Sequence, residues 1–444
     1  MIHSTKLRLA AEDGTLIEMR ADERVLSNGT FVNSPVILLQ GPVGGFFGAF
    51  SRFIRSTYGI PVLKVQYNLG DVICDRTDWS IRYRGGMGEL QTWYEQLFRL
   101  HRPRAVVVFG DERPVHRVAR RVCQSFGIPF FAFEEGYFRP SYVTFEHFGN
   151  NANSLMAESV VPAVIPFKTA LKQQAFGSNI PVGAVRTSVY FFAMWLGRPL
   201  FRNYEHHRNR RLGNEIVRRV WCNEKNTINR KREIRQSEEF ATTNPGNYYV
   251  LALQMFDDLQ LLRHGRNWRV RKLIYRVLES FARSAPAGTK LLIKQHPLDT
   301  GHRNYGKLIA RLAQKYGIED RVLYLRYANL RQSLDLSRGV VTVNSTVGIS
   351  ALDLGRPVIA MGNSLYARDG LAVDGSSIAA LDKFWNEPRP VDKALFTRFK
   401  AGLLAWTQIN GDFYISKAWR GVFQSALARI LHDTEAIEGR RRII

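Results

Sequence analysis

Short apolar runs alternate with helical segments along most of this chain, and this alternation constrains the fold more than any other feature. One apolar run ends at Gly41, "FFGAFSRFIRSTYG" then shows helical spacing, and "IPVLKVQYN" is apolar again. The pattern continues to about residue 135 and returns after residue 245. Such alternation is typical of βαβ units, so the sequence predicts two α/β halves, each with a doubly wound parallel sheet.

The length and the pattern together predict how the chain is divided. Its 444 residues are too many for one ordinary core, and two domains of about 200 residues each are expected. We predict Rossmann-like domains at residues 1–159 and 246–395. Residues 160–245 are predicted to form a basic helical segment, and residues 396–444 helices that pack back on the N-terminal domain.

The charge of the chain indicates an anionic partner. Lys and Arg total 63 against 39 Asp and Glu, which gives a formal charge of +24. Between Lys168 and Arg235 there are 15 basic residues and 4 Glu, a local excess of 15 − 4 = +11. This segment is either a solvated helical linker or an electrostatic docking surface for a membrane. No nucleic-acid-binding module is recognisable, so nucleic acid is not an expected partner.

Cysteine use and hydropathy favour a cytoplasmic protein. The three cysteines, Cys74, Cys123 and Cys222, are far apart and form neither a disulfide framework nor a zinc-ligand spacing. The N-terminal residues have no apolar region typical of a signal peptide. No apolar run reaches the roughly 18 residues that a transmembrane helix needs.

Candidate site residues lie directly after the predicted strands, because ligands of parallel α/β sheets bind beyond the carboxyl ends of the strands. Gln40, Gly41 and Gly44 follow the first strand. Glycine lets the backbone approach a ligand closely. The indication is weak, because glycine turns between a strand and a helix are common without any ligand.

Two further groups follow strands of the first half. Asp111, Arg113 and His116 lie in "FGDERPVHR", where a helix cap explains the acidic residue as well as a cleft does. Glu134 and Glu135 follow the strand "IPFFAF", and Gly136 comes directly after them. Apolar neighbours can raise the pKa of such a carboxyl group, which suits proton transfer. The alternative is a turn or capping role. Arg139 completes the predicted cleft residues of this half.

The second half offers a carboxylate pair and a basic strand tip. Asp257 and Asp258 follow the strand "YYVLA", where a carboxylate is either a helix cap or a nucleophile. Lys294 and His296 stand at the tip of the strand "TKLLIK", which Pro297 ends. A lysine and a histidine that converge there suit a phosphate group.

A polar triplet marks another strand-to-helix junction of the second half. Asn344, Ser345 and Thr346 lie between "GVVTV" and a helical segment. Free backbone N–H groups and the helix dipole favour an anion at such a junction, and hydroxyl groups add donors. The alternative is a plain Ser or Thr helix cap.

Seven motifs in fixed order resemble a known family. They read "QGPVGGFF", "GDERPVHRVA", "FEEGYFRPSYVTFE", "LQMFDDLQL", "IKQHPLD", "VNSTVGISAL" and "QINGDFY", and the match covers the chain from about residue 36 to residue 415. They resemble the capsular polysaccharide synthesis and export family whose members are β-Kdo transferases, and most closely its single-module member that starts the poly-Kdo linker on a lipid. The resemblance implies a GT-B glycosyltransferase: two Rossmann-like domains, an acceptor domain followed by a CMP-sugar donor domain, with the active site between them.

The resemblance also implies roles for the candidate residues. CMP-β-Kdo is the implied donor, a (lyso)phospholipid the acceptor, and the inner face of the cytoplasmic membrane the location. Asp258, with Asp257 second, matches a nucleophile that forms a Kdo adduct with overall retention. The resemblance implies that the CMP phosphate is held by the motif Lys294–His296–Pro297 and the motif Ser345–Thr346. Lys294, His296 and a helix N-terminus can meet the charge of that single phosphate, so neither a metal nor another cofactor is expected.

The remaining implied roles concern the acceptor and the partners. Glu135, with Glu134 as the second choice, is expected to act as acid or base on the acceptor hydroxyl. Other capsule synthesis and export proteins are expected partners. The alternative function is a non-enzymatic export factor that binds a lipid-linked glycan at the inner membrane.

Overall fold

Two structural units make up the chain. A computed structural model describes residues 5–10, 16–21, 34–158, 180–206, 229–296, 299 and 304–441. Unit 1 comprises Met1–Asn150, Leu171–Leu212 and Thr407–Ile444, and unit 2 comprises Asn151–Ala170 and Gly213–Trp406.

Unit 1 is built on a seven-stranded sheet. The seven strands of this sheet are β3 (Val36–Leu38), β4 (Val62–Gln66), β5 (Ser80–Arg82), β6 (Ala105–Phe109), β7 (Phe130–Glu135), β8 (Tyr142–His147) and β15 (Gln408–Asn410), and unit 1 also contains β1 (Thr5–Ala10) and β2 (Leu16–Ala21). Its helices are α1 (Phe46–Tyr58), α2 (Leu69–Cys74), α3 (Leu90–His101), α4 (Pro114–Phe126), α6 (Ile180–Leu196) and α15 (Ser416–Arg441). The main sheet has the order β15-β8-β7-β6-β3-β4-β5, and β1 and β2 form a separate antiparallel pair. β8 is antiparallel to both of its neighbours, and the other strands of the main sheet are parallel.

Unit 2 is built on a six-stranded sheet in which every pairing is parallel. Its strands are β9 (Tyr248–Ala252), β10 (Lys290–Lys294), β11 (Val322–Leu325), β12 (Gly339–Thr342), β13 (Val358–Ala360) and β14 (Val373–Asp374). Its helices are α5 (Leu155–Glu158), α7 (229–243), α8 (Leu259–His264), α9 (Val270–Ser284), α10 (Gly306–Tyr316), α11 (Leu330–Asp335), α12 (Val347–Asp353), α13 (Ile378–Asn386) and α14 (Lys393–Trp406). Short 3-10 helices cover Asn151–Asn153 and Glu319–Arg321. The sheet order is β11-β10-β9-β12-β13-β14.

The buried strands explain why the sequence shows continuous apolar runs. Strands β3 and β9 are buried at every residue, as expected for central strands that helices cover on both faces. The helices bury one side only; α4 begins with Pro114, which has no N–H to leave unpaired, and buries Val115, Val118 and Val122. The predicted α/β class is confirmed for each unit by itself, since each is built on a parallel or largely parallel sheet with Rossmann-like strand order.

The strand order places one switch point in each sheet. In unit 1 the chain builds outward from β3 to β5 and then returns to add β6 on the other side of β3. In unit 2 it builds from β9 to β11 and returns to add β12 beside β9. Loops that leave the two central strands then diverge to opposite faces, which opens a crevice at the carboxyl ends of those strands.

The units do not follow the predicted segment boundaries at every point. Within the predicted basic segment 160–245, α6 belongs to unit 1 and α7 to unit 2. At the C-terminus α14 stays in unit 2, and the chain joins unit 1 at Thr407, where β15 pairs with β8. In the part of the chain that the structure describes, no helix is both long and apolar enough to cross a membrane.

A buried ion pair fixes the loop between β3 and α1. Lys64 of β4 is fully buried, and its Nζ donates to Asp75 Oδ2 at 2.6 Å and to the Leu39 carbonyl at 2.7 Å. The other oxygen of Asp75 accepts the backbone N–H of Gly48 in the first turn of α1. Burial raises the pKa of Asp75, and Lys64 opposes that rise. Each charge therefore depends on the other for its place in the core.

We expect Lys64→Ala to lower the free energy of unfolding by about 3–5 kcal/mol, because it leaves the Asp75 carboxylate buried without its partner. Arg55→Ala is the control, since Arg55 pairs with Asp78 at the surface and should contribute less than about 1 kcal/mol. Urea unfolding followed by circular dichroism compares the two variants. A loss of equal size in both would contradict the structural role of the buried pair.

Candidate functional site

The switch point of unit 2 is bridged by two amide side chains. Gln254, two residues after β9, donates from Nε2 to Asn344 Oδ1 at 2.9 Å and accepts the Asn344 backbone N–H at 3.2 Å. Asn344, two residues after β12, also donates from Nδ2 to the Gln260 carbonyl at 2.9 Å. Both side chains are buried, so they hold the two loops together on either side of the crevice. Gln254 was not among the predicted residues, although its position after a strand was a signal for it.

The carboxylate pair of unit 2 stands at this switch point. Asp258 precedes the first residue of α8, and its Oδ1 accepts the Gln260 backbone N–H at 2.9 Å. Its Oδ2 lies 3.4 Å from Gln254 Nε2. Asp258 therefore caps a helix, and it also borders the crevice. Asp257 is partly exposed beside it.

The basic strand tip lies one strand away from that pair. Lys294 is the last residue of β10 and pairs with Ala252, the last residue of β9. Its Nζ donates to the Gln295 carbonyl at 3.2 Å, and loss of solvation lowers its pKa to about 8. His296 is partly exposed two residues on. A lysine at a strand end whose ammonium group is partly desolvated is well suited to bind an anion. Pro297 lies outside the described residues.

Gln295 separates the two basic residues and is turned into the protein. It is buried, donates from Nε2 to the Asp299 carbonyl at 2.8 Å, and accepts the Tyr324 hydroxyl. These bonds fix the end of β10.

The junction between β12 and α12 presents hydroxyl groups at a helix start. Ser345 Oγ accepts the Val347 backbone N–H at 3.3 Å, which is a local cap, and the Tyr366 hydroxyl donates to the Ser345 carbonyl at 2.7 Å. Ser345 and Thr346 are both partly exposed. Ser345 therefore has the capping role that the sequence left as an alternative. Thr346 directly precedes the first residue of α12.

The switch point of unit 1 has a similar bridge. Arg113, after β6, donates from one guanidinium nitrogen to Gln40 Oε1 at 3.0 Å and to the Gly41 carbonyl at 3.2 Å. A Cβ at position 41 would lie 2.9 Å from the Phe47 ring, and Gly44 has a φ of 125° that side chains rarely allow. Packing and backbone conformation therefore explain both glycines.

A polar network that the sequence analysis missed holds Gln40 in place. Its Nε2 lies 2.9 Å from the Tyr204 hydroxyl, 3.0 Å from the Tyr190 hydroxyl and 3.3 Å from each oxygen of Asp71. Tyr190 also donates to Asp71 at 2.9 Å, and Asn68 donates to Tyr190 at 3.0 Å. No sequence pattern links these segments, because they are up to 164 residues apart.

Two predicted cleft residues of unit 1 support the fold instead. Asp111 is fully buried and accepts from Arg120 at 2.8 Å and from the Asn150 backbone N–H at 3.3 Å. His116 is also fully buried, and its Nδ1 donates to the Gly110 carbonyl at 2.7 Å. Burial holds the pKa of His116 well below its usual value, so the ring is neutral. The side chains of Asp111 and His116 therefore form hydrogen bonds inside the protein. Of the three predicted residues Asp111, Arg113 and His116, Arg113 is the one that lies at the switch point.

The two adjacent glutamates end β7 in different environments. Loss of solvation raises the pKa of Glu134 to about 7, and the neighbouring carboxylates of Glu135 and Asp111 add to the rise. Glu134 accepts the Glu135 backbone N–H at 3.0 Å, whereas Glu135 accepts the Tyr414 hydroxyl at 3.1 Å. Arg139 is exposed and donates to the Gly136 carbonyl at 3.3 Å. The pKa of Glu134 thus lies near neutral pH, where a carboxyl group can accept and release a proton.

Comparison with known proteins gives related sequences over most of the chain. A family model described as "Capsule polysaccharide biosynthesis protein" matches residues 104–414. The capsule polysaccharide export protein KpsS of Escherichia coli is 34% identical over 382 residues, which cover 85% of this chain and 96% of KpsS. The capsule polysaccharide modification protein LipB of Neisseria meningitidis serogroup A is 33% identical over 388 residues, covering 85% of this chain and 91% of LipB. Among solved structures, the β-Kdo 2,4 transferase KpsC of Thermosulfurimonas dismutans is 15% identical, covers 85% of this chain and 92% of its own, and has a TM-score of 0.40.

Proposed function

We propose, because this chain belongs to the capsule polysaccharide biosynthesis protein family, that it is a glycosyltransferase of capsule linker synthesis. In this proposal it transfers Kdo from CMP-β-Kdo to a (lyso)phospholipid. Family membership supports the capsule role, and the seven ordered motifs support the choice of donor and acceptor.

The observation that carries the proposal is the position of Glu134 at the carboxyl end of β7, where burial raises the pKa of its carboxyl group to about 7. A carboxyl group with such a pKa can accept and return a proton at neutral pH, as a general base or acid must. The polar groups at the switch point of unit 2 supply the remaining roles of a transferase.

The proposed reaction has two steps. In the first step the phosphate of CMP is bound by Lys294, His296 and the junction at Ser345 and Thr346. The Asp258 carboxylate attacks the anomeric carbon of Kdo, and CMP leaves. In the second step Glu134 takes the proton of the acceptor hydroxyl, whose oxygen attacks the same carbon and releases Asp258. Two inversions at one carbon retain its configuration.

The nucleophile assignment is tested with Asp258→Asn, because asparagine caps a helix as well as aspartate does. We expect transfer to be lost while the melting temperature stays within error, since Asn keeps the bond to the Gln260 N–H but is not a nucleophile. Intact-mass measurement with donor alone should show a Kdo adduct on the wild type and none on the variant. Asp257→Asn is the matched comparison, and an adduct that vanishes only there would move the role to Asp257.

The phosphate assignment is tested by calorimetry with CMP. Lys294→Ala and His296→Ala should each weaken binding by about 1.5–3 kcal/mol, the size of one charge-assisted hydrogen bond. Lys290→Ala, at the other end of β10, should have no effect. Unchanged CMP affinity in both test variants would remove them from the site.

The pKa of Lys294 adds a pH test of the same assignment. Its ammonium group loses its proton as the pH rises through about 8, so CMP affinity should fall between pH 7 and pH 9. In Lys294→Ala this decline should flatten. If the variant keeps the full decline, another group is responsible for it.

The base assignment is tested with Glu134→Gln and Glu135→Gln. A base must be deprotonated, so the rate of transfer to acceptor should rise with pH through about 7, and this rise should disappear only in Glu134→Gln. The same variant should melt higher at pH 8, because the carboxylate is the form that burial disfavours. Adduct formation should be spared, and equal loss of both half-reactions would indicate a structural role instead.

The non-enzymatic export factor remains the second candidate, since the Escherichia coli relative is called an export protein. Incubation with CMP-Kdo and a lysophospholipid, followed by product mass, separates the two. A product larger by one or more Kdo units identifies the transferase. Binding of a lipid-linked glycan without any product identifies the export factor.

We also propose a peripheral position on the inner face of the cytoplasmic membrane, beside other capsule synthesis and export proteins. The charge excess of +11 from Lys168 to Arg235 supports it. Arg208, Arg210 and Arg211 of this segment lie outside the described residues. Reversal of these three charges should reduce binding to anionic vesicles at low salt, and unchanged binding would count against their role.

A further inference from the structure

Helix α6 leaves a continuous set of large apolar side chains in solvent. We call these residues the outward stripe: Val185, Val189, Phe192, Trp195, Leu196 and Leu200. They are exposed by 47–64%. The first five follow the turns of α6, so they lie along one side of it, and Leu200 continues the stripe just past its end. A contiguous apolar stripe of this kind marks an interaction surface.

The opposite side of α6 is fixed to unit 1, so the outward stripe cannot turn inward. Tyr190 and Ala193 are buried. A Cβ added at Gly70 of α2 would lie 2.8 Å from the Tyr190 ring, which shows how closely the two helices approach. The Tyr190 hydroxyl is bonded to Asp71 and Gln40 in the interior.

The charged residues of the sequence from Ser159 to Tyr204, which contains α6, are of one sign. No Asp or Glu occurs between Ser159 and Tyr204, whereas Lys and Arg occur five times there. Of these, Arg198 and Arg202 follow the end of α6 and are exposed. Glu205, three residues after Arg202, is also exposed, so the segment that follows α6 keeps a basic excess of two Arg over one Glu. An apolar helix face with such a basic excess at its end matches the boundary between acyl chains and anionic headgroups.

We propose that the outward stripe docks unit 1 on an anionic lipid surface, with α6 lying in the plane of that surface. α6 has 17 residues and lies along the interface rather than across it. Its inner face holds Gln40, which Arg113 contacts. The lipid surface is then about one helix diameter (~10 Å) from the switch point of unit 1.

This inference rests on the proposed function only in naming where a lipid acceptor lies. Vesicle binding requires neither the donor nor the reaction, so the docking proposal and the proposed function can fail separately. A protein that transfers Kdo to a soluble short-chain acceptor but ignores vesicles would keep the proposed function and lose the docking surface.

The test is co-sedimentation of the full chain with vesicles of phosphatidylcholine that contain phosphatidylglycerol, or of phosphatidylcholine alone. The test variant is Phe192→Ser with Leu196→Ser. Leu100→Ser is the matched control, because Leu100 of α3 is 54% exposed in the same unit. All these side chains are exposed, so the melting temperatures should agree with the wild type.

We expect the wild type to sediment with the anionic vesicles at low salt and to keep a weaker, salt-resistant part of its binding. The double variant should bind about tenfold more weakly or worse, because two large side chains no longer leave water. The Leu100→Ser variant should bind as the wild type does.

Three results would overturn the proposal. The wild type fails to sediment with anionic vesicles at low salt, the double variant binds as well as the wild type, or Leu100→Ser loses as much binding as the double variant. Light scattering without lipid tests a second copy as the occupant. If the wild type is a dimer that the double variant converts to a monomer, the outward stripe is a protein interface and not a lipid-docking surface.

Discussion

The reversal of strand order in each sheet is the constraint on which the candidate site depends. It separates the loops after β3 and β6 in unit 1, and the loops after β9 and β12 in unit 2. In each crevice a glutamine that follows the first strand bonds a residue that follows the fourth: Gln40 with Arg113, and Gln254 with Asn344. The same bridge occurs twice because the same topology creates the same gap twice.

Burial assigns different properties to side chains that look alike in the sequence. Glu134 and Glu135 are neighbours, yet the pKa of Glu134 is raised to about 7 while Glu135 accepts the Tyr414 hydroxyl. Asp111 follows a strand as Asp258 does, but it is fully buried and paired with Arg120. Chemistry at such a site depends on which carboxyl group loses its water, and that is a property of the packed structure.

The two sides of helix α6 have different roles in unit 1. Its inner face supplies Tyr190 to the network around Gln40, and its outer face carries exposed apolar side chains. The bonds of Tyr190 to Gln40 and Asp71 connect this helix directly to the polar groups of the switch point of unit 1.

The sequence by itself determined the α/β class, the two Rossmann-like domains and the strand ends where polar residues gather, because apolar periodicity and glycine turns act locally along the chain. It also indicated Lys294, Asn344 and the two glutamates as residues of interest. Only the tertiary structure decided that Asp111 and His116 turn inward, that Asp258 caps α8, and that Asp71, Tyr190 and Tyr204 hold Gln40. The physical reason is that burial and hydrogen bonding between distant segments depend on how the helices pack, and no local pattern records that packing.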